Sequence, residues 1–170
     1  MTNLYVFQTK KIKIAELYFK GNKFQCIVGA NGIGNKIREG DRVTPKGVYK
    51  LKKIFYRPDK VSKFKTNIPT FEIKKKSFWC VDSNSSYYNQ YSKSKNNYKC
   101  EELFRNDDLY DVFLTLDYNI NPTVKYKGSA LFIHCFEKKT KFTEGCVAIE
   151  KGLLIKIAEK ITPSSKIIIV

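Results

Sequence analysis

Apolar residues in this chain come in short runs rather than long stripes, and that limits the folds open to it. Residues 4–8, 12–19, 24–28, 48–56, 71–79, 112–116, 130–136 and 166–170 are each rich in Val, Ile, Leu, Phe, Tyr or Trp. Side chains branched at Cβ and flat rings lose freedom in a helix but pack well on a pleated surface, so these runs predict strands. Several alternate apolar with polar, as in Val48-Tyr-Lys-Leu-Lys-Lys-Ile54, the pattern of a sheet with one wet face. Only one segment has a helical period: Leu153, Leu154, Ile157, Ala158 and Ile161 share a stripe, and Pro163 then stops it. The expected fold is mainly β, an antiparallel sandwich or barrel with few helices, one of them near the C-terminus.

At 170 residues the chain reads as a single domain over residues 1–170, large enough to bury a core without metal or disulfide staples. No apolar run approaches the ~20 residues that span a bilayer, so no transmembrane segment is expected. The start, Met1-Thr-Asn-Leu-Tyr-Val-Phe, passes into Lys10-Lys11 with no apolar core of signal-peptide length. A net charge of +16 makes polyanion binding a candidate property. The lysines are spread along the whole chain and no nucleic-acid motif is present, so no nucleic-acid partner is expected.

Five cysteines with no CxxC pair, and one histidine, argue against a closed zinc site, so no metal is expected. Cys26 and Cys135 sit in apolar runs and read as small packing residues. Cys80 and Cys100 lie in polar surroundings and could pair in an oxidising compartment. Gly29-Ala-Asn-Gly-Ile-Gly34 follows a strand, but no apolar helical stripe comes after it, so it reads as a hairpin turn rather than a dinucleotide site. Thr44-Pro-Lys-Gly47 has the chemistry of a type II turn. Residues 82–98, rich in Ser, Asn, Tyr and Lys, read as a long loop.

The chemistry concentrates late in the chain. Ser129-Ala-Leu-Phe-Ile-His134 reads as a strand that delivers the only histidine, and Thr143-Glu-Gly-Cys146 as a Gly turn that presents a thiol beside backbone N–H groups. A thiolate is the strongest common side-chain nucleophile, and an imidazole is what activates it. Cys135, next to the histidine, should point to the opposite face of the strand.

These residues resemble the active-site motif of the L,D-transpeptidase catalytic domain, the YkuD family: a strand-borne His followed by a Ser/Thr-x-Gly-Cys turn. Glu39-Gly-Asp-Arg-Val-Thr44-Pro-Lys-Gly47-Val-Tyr49 looks like that family's Thr-Pro-x-Gly-x-aromatic signature. The resemblance runs from about Gly29 to Ile149 and is closest to the short, single-domain branch. It departs at Glu144, where most members have His, and at Ala148, where many have Arg.

The resemblance implies that Cys146 is the nucleophile and His134 its base, with the backbone carbonyl of Cys135 orienting the imidazole. Backbone N–H groups of Glu144, Gly145 and Cys146 would form the oxyanion hole, and a lowered thiol pKa would accompany the Cys–His pair. It further implies that Thr143, Trp79, Tyr88 and Asn89 line the substrate approach. Arg57 is a candidate for a substrate carboxylate, or else for a surface pair with Asp59 or Asp82. If the charge serves substrate capture, the basic residues should gather around the Cys146 mouth; a Lys-rich surface from compositional bias would spread them over all faces. The implied activity is crosslinking of peptidoglycan stem peptides through an acyl-enzyme, without a cofactor. The same thiol would serve an L,D-carboxypeptidase or hydrolase; a basic, non-catalytic binding module is the reading from another class. The setting would be the periplasm or cell wall, and the working form a monomer.

Overall fold

A computed structural model describes residues 2–95 and 97–170 of the chain. The early strands are β1 (Leu4–Gln8), β2 (Ile14–Phe19), β3 (Asn22–Ile27), β4 (Ile33–Gly34), β5 (Thr44–Pro45) and β6 (Gly47–Tyr56). They are followed by β7 (Thr70–Glu72), β8 (Phe78–Cys80), β9 (Tyr91–Ser92), β10 (Cys100–Glu102) and β11 (Val112–Leu116). The chain ends with β12 (Phe132–Cys135), β13 (Val147–Ile149), helix α1 (Lys151–Lys160) and β14 (Lys166–Ile169).

The main sheet runs β11-β12-β13-β3-β2-β1-β14-β6-β7, and β11 also pairs with β6, so it closes into a barrel with β7 hanging on β6. The architecture is mainly β with one helix near the C-terminus. Most neighbours in this sheet are antiparallel, as expected, while β1/β14, β12/β13 and β6/β7 are parallel. Parallel neighbours require a crossover, and for β12 and β13 residues 136–146 supply it. That return brings the chain back to the start of β12, which is where the chemistry described below converges.

Alternation along the strands separates two clusters. Val112, Leu114, Ile133, Cys135, Val147 and Ile149 point inward to the barrel core, joined by Leu154, Ile157 and Ala158 of α1. Glu150 caps the helix, its carboxylate accepting from the Gly152 and Leu153 N–H groups at 2.8 and 2.7 Å. Phe55, Phe113 and Phe132 point outward and meet Trp79, Leu103 and Tyr110 beneath a small second sheet, β10-β8-β9. Phe113 stacks on Phe55 at 5.0 Å, and Trp79 meets Phe132 edge-on at 4.9 Å. Such pairs add ~0.5–1.5 kcal/mol each beyond their buried area.

Other expectations shift in detail. The run at 71–79 is two strands, because Ser77 Oγ accepts from the Lys74 N–H at 2.9 Å and the Ser77 N–H returns to the Lys74 carbonyl at 2.9 Å, closing a turn. Thr44–Pro45 is a short strand paired with Ile33–Gly34, and the positive φ falls on Gly47 (+149°) rather than Lys46, so no type II turn forms. Within the expected loop at 82–98 lies β9; Asn96 of that loop is outside the described residues. A three-residue strand, β13, lies between the Gly turn at 143–146 and α1.

Candidate active site

Parallel register fixes the arrangement. Ile133 lies beside Val147 and His134 beside Ala148, so Cys146, just before β13, falls next to Phe132. The Phe132 N–H reaches the Cys146 sulfur at 3.4 Å, and the thiol donates to the Ala130 carbonyl at 3.0 Å. Phe132 and His134 share the outward face of β12, ~7 Å apart along the strand. Thiol and imidazole therefore line one cleft of about 390 Å³, together with Lys36, Glu39, Lys99, Glu101 and Tyr110 among others.

His134 is buried, and its Nδ1 lies 2.7 Å from the Cys135 carbonyl. A carbonyl can only accept, so in the neutral ring Nδ1 carries the proton and Nε2 is left as a proton acceptor. Burial pushes the imidazole down to about 4, against the opposing pull of the Cys135 carbonyl and helped by the Arg105 charge. The ring packs edge-on against Tyr110 at 5.5 Å, and the Tyr110 hydroxyl donates to Glu101 at 2.5 Å.

Cys146 is half-buried rather than on an open turn, and burial pushes its thiol up to about 12. The Phe132 N–H and the Lys36 charge oppose that, while Glu101 and Glu144 push it further up. The expected depressed thiol pKa is therefore absent: at neutral pH the resting pair is a neutral thiol and a neutral imidazole. A reaction that used this pair would have to move the thiol proton as the sulfur attacks rather than beforehand.

The turn before the thiol is tightly braced. Thr143 Oγ1 donates to the Cys146 carbonyl at 2.6 Å and accepts from the Gly145 N–H at 3.2 Å. Thr44 Oγ1 donates to the same carbonyl at 3.4 Å, which ties the upstream Thr-Pro motif to the turn. Gly145 has φ +138°, and a Cβ there would sit 3.0 Å from the Val43 carbonyl, so only glycine fits. The Gly145 N–H is spent on Thr143, which corrects its expected place in an oxyanion hole. Among the described residues the Glu144 and Cys146 N–H groups have no protein acceptor. The Glu144 carboxylate turns outward to Arg42 Nε at 2.9 Å.

Four residues expected at the substrate approach are placed otherwise. Arg57 is buried, donates to both Asp59 oxygens at 2.8 and 2.6 Å and to the Arg105 carbonyl at 2.6 Å, and stacks on Phe104. Each of its three guanidinium nitrogens makes one of these bonds, and it does not line the cleft. Trp79, Tyr88 and Asn89 are buried behind the wall. Asn89 Oδ1 accepts from Trp79 Nε1 at 3.0 Å and from the Ala130 N–H at 2.9 Å, while its amide donates to the Tyr118 and Asn119 carbonyls. Tyr88 donates to Glu39 at 2.5 Å and accepts from the Gly128 N–H at 3.0 Å. The three hold residues 128–130 in place, including Ala130 at φ +52°, whose carbonyl accepts the hydrogen bond of the Cys146 thiol.

Basic residues do not gather at the Cys146 mouth. The cleft mixes Lys36 and Lys99 with Glu39, Glu101 and Glu144, and Lys36 is paired with Asp41 at 2.5 Å. The more basic concavity, about 780 Å³, lies elsewhere and carries Lys63, Lys65, Lys74 and Lys93. Tyr110, Glu101 and Lys36 had no signal in the sequence, since three-residue strands and loops are too short for a period to show. Among the described residues no group of three or more His, Cys, Asp or Glu could hold a metal ion, and no helix is long and apolar enough to cross a membrane.

The family model described as the L,D-transpeptidase catalytic domain, YkuD, matches residues 4–169. No curated protein matches the chain. Among solved structures, the helical cell shape determining protein Pgp2 from Campylobacter jejuni is similar at 16% identity and a TM-score of 0.45, with 99% of this chain and 47% of that chain covered. Bd1075 of Bdellovibrio bacteriovorus is similar at 13% identity and a TM-score of 0.47, covering 99% and 48%. The chain spans about half the length of these solved structures.

Proposed function

Because the chain belongs to the YkuD family of L,D-transpeptidase catalytic domains, we propose that it is a cysteine acyltransferase that forms L,D crosslinks in peptidoglycan. One observation carries the reading: a thiol and an imidazole with its Nδ1 tied to a backbone carbonyl open into the same cleft. Cys146 attacks the carbonyl of the L-centre of diaminopimelate in a donor stem peptide, and His134 Nε2 takes the thiol proton as the C–S bond forms. The oxyanion is received by the Glu144 and Cys146 N–H groups, each such donor contributing ~3 kcal/mol in acyl transfer. His134 then returns its proton to the departing D-amino acid, leaving a thioester. An acceptor amine resolves the thioester into the crosslink, and the periplasm or cell wall is where both partners are found.

The same thioester could be resolved by water, giving an L,D-carboxypeptidase. Purified muropeptides, incubated with the protein and resolved by mass spectrometry, separate the outcomes. Dimers joined through two diaminopimelate residues are the expected products; shortened monomers alone would replace transfer by hydrolysis. Unchanged muropeptides, with no thioester at Cys146, would overturn the enzymatic reading.

A further inference from the structure

Two cysteines outside the cleft face each other across a strand pair. Cys80 ends β8, Cys100 begins β10, and the antiparallel register sets them directly opposite. On one side the Val81 N–H donates to the Lys99 carbonyl at 3.0 Å, and on the other the Leu103 N–H donates to the Ser77 carbonyl at 3.0 Å. Bonded and non-bonded pairs alternate along such a ladder, so Trp79/Glu101 is a bonded pair and Cys80/Cys100 a non-bonded one. Non-bonded partners have Cα atoms ~4.5 Å apart, inside the ~4.4–6.8 Å that a disulfide spans.

Both thiols are free. Cys80 is buried, while Cys100 is partly open, its sulfur 3.8 Å from the Lys95 carbonyl. Burial first, and then the neighbouring Cys80, pushes the Cys100 thiol up, as expected of two sulfurs in contact. Cys26 and Cys135 are enclosed in the barrel core. Cys146 opens instead into the cleft, on the side of the small sheet faced by Trp79 and Glu101, away from the Cys80/Cys100 face.

We infer that Cys80 and Cys100 form a modification site, a dithiol that a disulfide-bearing oxidant converts to a cross-strand disulfide. The Cys100 thiolate, the more open, attacks the S–S bond of the oxidant and expels one thiolate. The Cys80 thiolate then attacks the Cys100 sulfur of the mixed disulfide and expels the second. Two protein thiols become one disulfide, and the oxidant leaves as two thiols carrying the two protons and two electrons. The staple closes residues 80–100 into a ring that contains Tyr88 and Asn89, the supports of residues 128–130. It also fixes the strand that places Glu101 in the cleft wall.

The test needs no substrate. The full chain is equilibrated with oxidised glutathione, blocked with an alkylating agent, and read by intact mass, peptide mapping and thermal unfolding. The expected result is loss of two hydrogens, a crosslink mapped between Cys80 and Cys100, and a rise in Tm of ~5 °C or more that a reductant reverses. Cys100→Ser should show neither the crosslink nor the rise. No loss of hydrogens, a crosslink through Cys26, Cys135 or Cys146, or the same Tm rise in Cys100→Ser would each overturn the inference. None of these readouts depends on peptidoglycan chemistry, so the site stands or falls apart from the proposed activity.

Discussion

Cys135 and Cys146 flank the same pair of strands, and burial pushes both thiols up to about 12. One sulfur donates to the Val112 carbonyl inside the barrel core; the other donates to the Ala130 carbonyl at the wall of a cleft that also holds the imidazole. A shifted pKa does not by itself single out a nucleophile. Which face of the sheet a thiol occupies, and whether a proton acceptor shares its cavity, decide what it can do.

The largest expected effect tests that distinction directly. Cys146→Ala should lower acylation at least ~10³-fold with little loss of stability, whereas Cys135→Ala should keep the reaction and lose stability. A carbapenem, implied as a covalent inhibitor by the family, should add one ligand mass to the wild type and to Cys135→Ala but not to Cys146→Ala. Equal adducts on all three proteins would break the comparison.

The imidazole supplies the next test. Its folded value, about 4, lies below the 6.5 of the unfolded chain, so between those values the unfolded state binds more protons. The stability tied to the neutral ring is whole above pH 6.5, is lost as pH falls toward 4, and amounts to ~3 kcal/mol. Urea unfolding of wild type and His134→Gln at pH 7 and pH 4.5 should show their stability difference shift in favour of the variant by ~2–3 kcal/mol at the lower pH. A constant difference would mean the ring is not held neutral by burial.

Smaller effects sharpen the core side of the contrast. Cys135→Ser places a hydroxyl in the barrel core and should cost ~1–3 kcal/mol in denaturant unfolding. Acylation per folded molecule should stay within about twofold, because the carbonyl at 135 and not its thiol holds the imidazole. Arg57→Ala should cost ~1–2 kcal/mol through lost bonds to Asp59 and the Arg105 carbonyl, and leave KM for a stem peptide unchanged. A raised KM with unchanged stability would return Arg57 to the substrate.

Much of this arrangement was legible in the sequence because it is local. The alternation of β-branched and aromatic residues gave the strands, and Ser129–His134 and Thr143–Cys146 carry the chemistry within continuous stretches. The Asn89 amide that props Ala130, the Glu101 carboxylate behind Tyr110 and the Lys36 ammonium beside the Gly145 turn come from distant segments, and no periodicity connects them. Of the two readings of Arg57, the pair with Asp59 is the one the structure shows, but an Arg next to a Pro gives no hint of its burial against the Phe104 ring and the remote Arg105 carbonyl. The placement of Trp79 and Tyr88 at the substrate approach rests on the resemblance alone, since an aromatic residue suits a groove and the layer beneath it equally, and both are buried.

The parallel pairing of β12 and β13 has one more consequence. Strand register, not the number of residues between them, puts thiol and imidazole on one cleft, so residues 136–142 of the crossover are free of that constraint, while Thr143 to Cys146 are not. Its Thr140 and Phe142 form one side of the cleft, and Phe142 also faces the Lys13 ammonium across 5.2 Å. Lengthening or shortening that segment should change the entrance and leave the β12/β13 register in place. Diversification of what the cleft admits is thereby uncoupled from preservation of what it does.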